Sequence, residues 1–353
     1  MAVEQYATQG EGSWFRMKPV LWFGECPAPS HTLDWRTAWR LWIDLRMRLF
    51  VKRNSAGTHT YWQRQADKIM STATASINDT DTFNFICGLV RDRSAIELEP
   101  NKAYLVDARL TPVARENGMS SIGELVAAVR RPGSQDLTRQ VVEAMTTNET
   151  SFFRDLHPFD ALKTHVLPEL IAKRSNQRTI TIWSCACSSG QEPYTIAMIL
   201  REHFPMLSGW TVKLFGTDLS SQILSRAREG LFNQTEVNRG LPAPLLVKYF
   251  QKDGLQWRIK DEIRMMVEFR EANLVQPFSP SHPTSDIVFL RNVLIYFSPE
   301  TKKAILKKIR QVLHPDGYLF LGGAETTMNL DASFERVQLG KAVCYRQGTD
   351  SKR

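Results

Sequence analysis

The apolar positions of the chain follow two different periods. From Thr82 to about Ala144 they recur at three- and four-residue spacings, as at Ile122, Leu125 and Val129, and this spacing predicts helices. Pro132-Gly133 and similar breakers separate the helical stretches. The pattern predicts a small all-helical domain, which we place at residues 70–145.

After residue 178, short apolar runs alternate with helical stretches. The predicted strands are residues 179–183, 211–215, 265–269, 286–290 and 318–321. The predicted helices between them are residues 192–204, 221–229 and 299–313. Such alternation predicts an α/β fold with a doubly wound, mostly parallel sheet, which we place in a domain at residues 146–349. Ligands of such sheets bind at the carboxyl ends of the strands.

One segment departs from this alternation. Asp253-Gly254 separates two runs at residues 248–252 and 255–260, and Asp-Gly between such runs is a strong hairpin signal. The sequence therefore predicts an inserted antiparallel β-subdomain at about residues 230–263.

The first 69 residues have a different composition. They hold six of the nine tryptophans and show no clean helical or strand period throughout. Met70 is followed by a polar run and resembles a natural start. We interpret residues 1–69 as a Trp-rich extension of unknown role.

Composition excludes several broad classes. The chain has 353 residues, 42% hydrophobic and 23% charged, so neither global disorder nor a fibrous repeat fits. It contains no apolar run near the roughly 18 residues of a membrane span and no secretory signal pattern. A cytoplasmic protein without direct membrane insertion is expected. Five cysteines, an odd number, indicate reduced thiols, and the Cys185-x-Cys187 pair lacks further ligands, so no metal site is predicted.

The net charge of +8 favours an acidic partner. Nucleic acid, an anionic membrane and a Glu-rich protein surface all fit this charge. Solvated faces of surface helices explain it equally well.

The end of the first predicted strand runs into small residues and Gly190, followed by a helix. A glycine lets a ligand approach the backbone, and the free N–H groups of a helix start face the same crevice. The phosphate-cradling patterns of dinucleotide and P-loop sites are missing. An ordinary tight turn is the alternative.

Polar residues also follow two other predicted strands. Asp218 stands where ribose hydroxyls are commonly bound, although it can instead cap the next helix. Arg291 and Asn292 end an apolar run, so they require a ligand or an internal hydrogen-bond network. Before the sheet, the segment TTNETSFFRD combines dense donors and acceptors with two aromatic residues; a helix cap at a domain junction is its plain explanation.

Together, these segments resemble the CheR family of chemotaxis methyltransferases. The matching motifs are TTNETSFFR, WSCACSSGQEPY, GTD and LRNVLIYF, in the family's order and spacing, and the likeness covers about residues 82–346. It implies a helical N-terminal domain, a Rossmann-like domain that binds S-adenosylmethionine, and an inserted β-subdomain. Three positions depart from the family pattern, namely Cys185, Gln191 and Leu290.

The resemblance also assigns roles to individual residues. The implied contacts of S-adenosylmethionine, or of its product S-adenosylhomocysteine, are Asn148, Thr150, Arg154, Glu192, Asp218, Asn273, Leu274, Arg291 and Asn292. Tyr296 matches a tyrosine that lines the methyl-transfer site, and Arg154 and Tyr296 are the expected catalytic residues.

The activity implied by the resemblance is methyl esterification of glutamate side chains on chemotaxis receptors. The expected partner is the cytoplasmic helical region of the receptor, docked on a helix carrying Lys102, Arg109 and Arg115, with a receptor tail peptide as a further ligand of the β-subdomain. A glutamate carboxylate is already ionised at neutral pH and needs no general base.

Two other function classes stay open at this point. Nucleic-acid methylation suits the positive charge, but the amino-methylating enzymes usually carry Asn or Asp followed by Pro-Pro and an aromatic residue, where this chain has RNVLIYF. Nucleic acid is therefore not the expected partner. A catalytically silent cofactor sensor or scaffold is the other class.

Overall fold

The computed structural model describes residues 80–348. All of these belong to one compact unit, Ala75–Arg353. The Trp-rich extension and the predicted start at Met70 lie outside the described residues.

The described chain begins with four helices packed around a small core. They are α1 (Thr80–Ser94), α2 (Ala103–Glu116), α3 (Ile122–Val129) and α4 (Gln135–Met145). Ser121 caps α3 by accepting a hydrogen bond from the Glu124 backbone N–H. The apolar side chains predicted to share helix faces are buried together, among them Ile86 and Leu125. The predicted helical domain is confirmed.

Three short helical pieces then lead to the sheet. They are α5 (His157–Ala161), a π-helical turn (Leu162–Val166) and α6 (Leu167–Lys173). The large sheet has seven strands: β1 (Thr179–Cys185), β2 (Thr211–Asp218), β6 (Val267–Glu271), β7 (Ser285–Leu290), β8 (Leu313–Leu321), β9 (Phe334–Leu339) and β10 (Ala342–Gln347). Their order is β6-β2-β1-β7-β8-β10-β9, and the first five are parallel.

Apolar side chains cover both faces of this sheet. Along β1, Ile180 and Ile182 pack in one hydrophobic cluster, while Trp183 and Cys185 pack in another on the opposite face. The helices that follow the strands are α7 (Gln191–His203), α8 (Ser221–Glu229) and α12 (Pro299–Val312). The doubly wound fold predicted from the alternation is confirmed, with element ends shifted by a few residues.

The end of the sheet was predicted incompletely. The β8 strand starts at Leu313 rather than at residue 318, and the antiparallel strands β9 and β10 were missed altogether. The β9 strand forms an edge of the sheet, with exposed positions such as Glu335 and Arg336. Because this edge strand packs little apolar surface, its sequence carries a weak strand pattern.

The β-subdomain is a separate three-stranded antiparallel sheet. It contains β3 (Leu231–Asn233), β4 (Phe250–Asp253) and β5 (Gln256–Ile259) in the order β3-β5-β4, with α9 (Gln234–Asn238) and α10 (Ala243–Tyr249) between the first two. The short α11 (Asp261–Arg264) follows it. The predicted hairpin is confirmed, but the residues before Phe250 that were expected in its first strand belong to α10.

Gly240 fixes the subdomain against the segment that precedes the large sheet. Its φ is +88°, and a Cβ atom there would lie 2.1 Å from the backbone oxygen of Phe152. Any other residue would have to push these two backbones apart.

No helix within residues 80–348 combines the length and the apolar character needed to cross a membrane.

Candidate active site

A cleft with an empty volume of about 910 Å³ opens at the carboxyl ends of β1, β2 and β7. Its mixed polar and apolar lining suits a small organic ligand. The structure brings every predicted site residue to this cleft: Asn148, Thr150, Arg154, Glu192, Asp218, Asn273, Leu274, Arg291, Asn292 and Tyr296.

The loop after β1 forms one wall through a left-handed backbone. Ala186 and Ser188, which both line the cleft, have φ values of 50° and 51°. Gly190 does not provide the expected close approach to a ligand. At its φ of +90°, a Cβ atom would meet Phe269 and Tyr194 at 3.1 Å, so this glycine is required for the turn and for core packing.

Asp218 holds the loop and the next helix with one carboxylate. Its Oδ2 accepts from the Ser188 backbone N–H at 2.9 Å, and its Oδ1 accepts from the Ser220 N–H at 3.0 Å. The alternative role as cap of α8 is wrong, because Ser220 caps that helix through the Ile223 N–H. Burial raises the pKa of Asp218, and the backbone N–H groups oppose this shift only in part.

Arg291 joins three parts of the site. Its Nη1 donates to Glu192 Oε2 at 2.8 Å, and its Nη2 donates to both Asp155 Oδ2 and the Arg154 backbone oxygen at 2.8 Å. Ser184 completes the group by donating to the other Glu192 oxygen at 2.8 Å. The internal network considered for Arg291 therefore exists. Its Nε is buried without a hydrogen-bond partner among the described residues.

Asn292 adopts a φ of 57° at the start of the loop after β7. Its backbone N–H donates to Glu325 Oε2 at 2.8 Å, and the Gly322 N–H donates to the same oxygen at 2.7 Å. Sequence reasoning did not identify Glu325, although the polar residue ending the run GYLFLGGAE was the available signal.

The helical domain contributes directly to the cleft, which the sequence did not predict. Ser94 and Ile96 line it. Asn273 uses its side-chain amide to donate to the Arg93 backbone oxygen at 2.8 Å, and its Oδ1 accepts from the Val275 N–H at 3.1 Å. The bond to Arg93 joins the two domains beside the cleft.

Arg109, expected at a docking surface, is mostly engaged inside the protein. It donates to the backbone oxygens of Met145 and Thr146 at 2.7 and 3.0 Å and to Thr147 Oγ1 at 3.1 Å. It therefore fixes the start of the TTNET segment, which carries Asn148 into the cleft.

Glu143 makes the second link between the domains. From α4 its carboxylate accepts from Ser220 Oγ at 2.7 Å and from the backbone N–H groups of Ser221 and Gln222 at 3.2 and 3.4 Å. These groups form the amino terminus of α8, where a negative charge is stabilised by the helix dipole.

The lining limits the chemistry of the ligand. Within the described residues, nothing hydrogen-bonds to the hydroxyls of Thr150 and Tyr296, so both are available to a ligand. Ile96 and Leu274 supply apolar contact area. The acids Glu192 and Asp218 disfavour a polyphosphate but suit the hydroxyls and cationic groups of a nucleoside such as S-adenosylmethionine. Among residues 80–348, no group of three or more potential metal ligands is present.

Two family models match consecutive parts of the chain. The model described as CheR methyltransferase, all-alpha domain, matches residues 81–146, and that described as CheR methyltransferase, SAM binding domain, matches residues 148–343. The chain belongs to the CheR methyltransferase family. S-Adenosylmethionine is accordingly its cofactor, and the donors and acceptors that line the cleft fit this molecule.

Similar proteins include several chemotaxis methyltransferases. Chemotaxis protein methyltransferase 1 of Pseudomonas aeruginosa is 43% identical over 264 residues, covering 74% of this chain and 93% of that protein. Chemotaxis protein methyltransferase Cher2 of Pseudomonas putida is 42% identical over 255 residues, covering 71% and 92%. Chemotaxis protein methyltransferase 1 of Vibrio cholerae is 37% identical over 274 residues, covering 77% and 98%. This CheR methyltransferase therefore shares nearly the whole length of these relatives.

Proposed function

We propose that this CheR methyltransferase esterifies glutamate side chains of chemotaxis receptors and so serves adaptation in chemosensory signalling. The observation that carries the proposal is that Arg154 and Tyr296 both line the family's cofactor cleft. One is a planar cation and the other a phenol without a partner among the described residues, and both suit a carboxylate.

We assign the cofactor contacts from the chemistry of the lining. The Asp218 carboxylate is the acceptor for ribose hydroxyls, since each of its oxygens retains capacity beyond one backbone N–H. Leu274 provides apolar contact, and the Asn273 amide fixes the loop beside it. Asn148, Thr150, Glu192, Arg291 and Asn292 line the rest of the cleft and are the proposed partners of the cofactor's other polar groups.

The reaction needs orientation and desolvation more than acid–base chemistry. When bound, S-adenosylmethionine supplies an electrophilic methyl group on a sulfonium. The glutamate carboxylate attacks in its ordinary ionised form. Arg154 and Tyr296 therefore have to align it and replace the hydrogen bonds of the water that it loses on binding. Arg154 donates from Nη1 to the Glu149 backbone oxygen at 2.9 Å, which leaves its other donors for substrate.

The substrate surface includes both the helical domain and the β-subdomain. On α2, Arg115 is exposed and Tyr104 is 64% exposed. Lys102, just before α2, forms a surface ion pair with Glu99. We infer that this helix contacts the cytoplasmic helical region of the receptor and that the enzyme works in the cytoplasm. Because Arg109 is engaged with the TTNET segment, it contributes less to docking than its sequence position indicates.

A receptor tail peptide is the proposed ligand of the β-subdomain. Strand β4 is an edge strand of that sheet, paired on one side with β5, and an extended peptide can add to its other side. Leu255, at 92% exposure, offers apolar surface near this edge.

The test uses S-adenosylmethionine labelled in its methyl group together with receptor-containing membranes from the source cell. We expect base-labile methyl esters on the receptor, and receptors with Gln at the methylation sites should accept none. Tyr296→Phe should lower turnover while affinity for S-adenosylhomocysteine stays nearly unchanged, because the ring remains. Cofactor binding without esters on any receptor would instead support a silent sensor, and label in nucleic acid would support the other enzyme class.

A further inference from the structure

The residues around Arg154 adopt an unusual backbone. Phe153, Asp155 and Leu156 have positive φ values of 49°, 66° and 33°. Leu156 combines its φ with a ψ of −52°. Side chains larger than Gly rarely adopt such values, and a turn of this kind persists only when its surroundings hold it in place.

Both sides of this turn are anchored. On the amino side, Phe152 is fully buried, and the Phe153 N–H donates to Thr195 Oγ1 at 3.1 Å. On the carboxyl side, Arg291 Nη2 holds both the Arg154 oxygen and Asp155 Oδ2 at 2.8 Å. The Arg291 side chain is only 2% exposed, and Glu192 holds Nη1, the other terminal nitrogen of the same guanidinium.

Asp155 is the one side chain within this turn that forms an ion pair with Arg291 in the described structure. Its own side chain is 52% exposed, so it contributes little to the core. It is also outside the set of residues that line the cleft, whereas Arg154 is part of that lining.

We propose that Asp155 is a positioning residue for methyl transfer, holding the left-handed turn against Arg291 so that the Arg154 guanidinium stays in the cleft. This rests on the proposed function of Arg154. Without the Asp155 charge, the carboxyl side of the turn is held to Arg291 only through the Arg154 backbone oxygen, and its strained residues can relax toward ordinary backbone angles. Arg154 then loses its fixed orientation while the cofactor contacts remain.

The kinetic test compares Asp155→Asn with Asp160→Asn, which alters an exposed carboxylate five positions along the chain. Asp155→Asn should lower kcat on a receptor about tenfold, since small misplacements of an orienting group have effects of this order or larger. Affinity for S-adenosylhomocysteine should change less than about twofold, because Glu192 still holds Arg291. Asp155→Glu keeps the charge and should lose less activity, and Asp160→Asn should match the wild type.

A second measurement follows the turn itself. Hydrogen exchange of peptides covering residues 152–158, in the complex with S-adenosylhomocysteine, should be faster in Asp155→Asn and unchanged in Asp160→Asn. Unchanged kcat in Asp155→Asn, or a loss of cofactor affinity equal to the loss of kcat, would overturn the proposal.

The two measurements also separate this proposal from the proposed function. If the wild-type enzyme methylates no receptor, the proposed function fails, and hydrogen exchange alone decides whether Asp155 holds the turn. Unchanged exchange would then refute the positioning role, whereas faster exchange would retain it.

Discussion

Two arginines with little exposed side-chain surface stand at opposite ends of the large sheet, and each joins two carboxylates. At the amino end, Arg174 donates to Asp286 at 2.8 Å and to Asp316 at 2.7 Å. At the carboxyl end, Arg291 donates to Glu192 and Asp155, both at 2.8 Å. The chemistry is the same, but the surroundings differ.

Arg174, Asp286 and Asp316, here called the Arg174 group, connect elements with ordinary backbone angles. Asp286 also accepts from the Thr181 N–H at 2.8 Å, so the group links the end of α6 to β1, β7 and β8. The Arg291 group instead holds a left-handed turn and a wall of the cleft. The same kind of ion pair therefore links elements of the sheet at one end and holds a wall of the cleft at the other.

Replacing Arg174 should have the largest effect, and on stability. Arg174→Met leaves the buried Asp286 carboxylate without its cation and should lower the free energy of unfolding by about 3–5 kcal/mol. Affinity for S-adenosylhomocysteine should stay unchanged in the folded fraction. Urea unfolding and calorimetry measure both quantities. Arg201→Met, at a 57% exposed side chain, is the matched control and should change stability by less than about 0.5 kcal/mol.

Acid sensitivity provides a check on the same group. The Arg174 hydrogen bond holds the pKa of Asp316 below its usual value, so this stabilisation is present at neutral pH and is lost as pH falls through the lowered pKa. Arg174→Met should remove that part of the pH dependence. If Arg174→Met kept the wild-type free energy of unfolding at pH 7, the Arg174 group would not stabilise the sheet.

Replacing Arg154 should have the opposite signature. Arg154→Ala should lower kcat about a hundredfold through lost alignment of the carboxylate, with unchanged stability. Arg154→Lys should recover little, because an ammonium cannot reproduce the planar guanidinium. Methyl-ester formation at saturating cofactor and thermal unfolding are the measurements. Near wild-type turnover in the alanine variant would remove Arg154 from the mechanism.

Replacing Asp218 should lower cofactor affinity, with a smaller effect than the Arg154 replacement has on kcat. Since burial raises its pKa, it takes up a proton at a higher pH than an ordinary aspartate, and affinity for S-adenosylhomocysteine should fall as pH decreases through that value. Asp218→Asn should weaken binding about tenfold at pH 7 and flatten this dependence. Glu143 lies nearby and adds to the raised pKa, so Glu143→Gln should shift the acid loss of binding to lower pH. Calorimetry across pH that shows parallel curves for all three proteins would contradict the ribose assignment.

Removing the Trp-rich extension should have the smallest effect. Both family models begin at or after residue 81, so a chain starting at Met70 should fold, bind cofactor and transfer methyl groups like the full chain. Loss of folding or of binding in that shortened chain would show that residues 1–69 are part of the working protein.

Local patterns were sufficient to predict most of the fold, whereas the full set of cleft residues came from the resemblance to the CheR family. The apolar runs of β1 and β7 are buried on both faces, so they stand out in the sequence, whereas the edge strand β9 does not. Asp218, Arg291 and Asn292 lie at or just after strand ends, where the topology of the sheet brings them together. Asn148, Thr150 and Arg154 precede the sheet and were assigned to the site through the resemblance to the CheR family. Long-range partners were not predictable, because the bonds from Glu143 to α8 and from Asn273 to the Arg93 oxygen depend on how two domains dock.

The sequence also could not reveal which residues were already engaged. In the sequence Arg109 looked like a basic residue of the docking surface, yet three groups around the TTNET segment accept its hydrogen bonds. Gly190 had the appearance of a ligand contact, yet its missing side chain makes room for Phe269. Both residues lie in the predicted elements, but the role of each depends on neighbouring residues that the sequence pattern does not reveal.

The Glu143 contact has a consequence for building hybrid enzymes. A helical domain transplanted from a relative must bring an acid to this position, or the first turn of α8 loses a partner shared by Ser220, Ser221 and Gln222. Because Ser220 also donates its N–H to Asp218, the mismatch would reach the cofactor cleft. Hybrid enzymes made to exchange receptor specificity should therefore take α4 and α8 from the same parent protein. The junction between the two parents should lie upstream of α4.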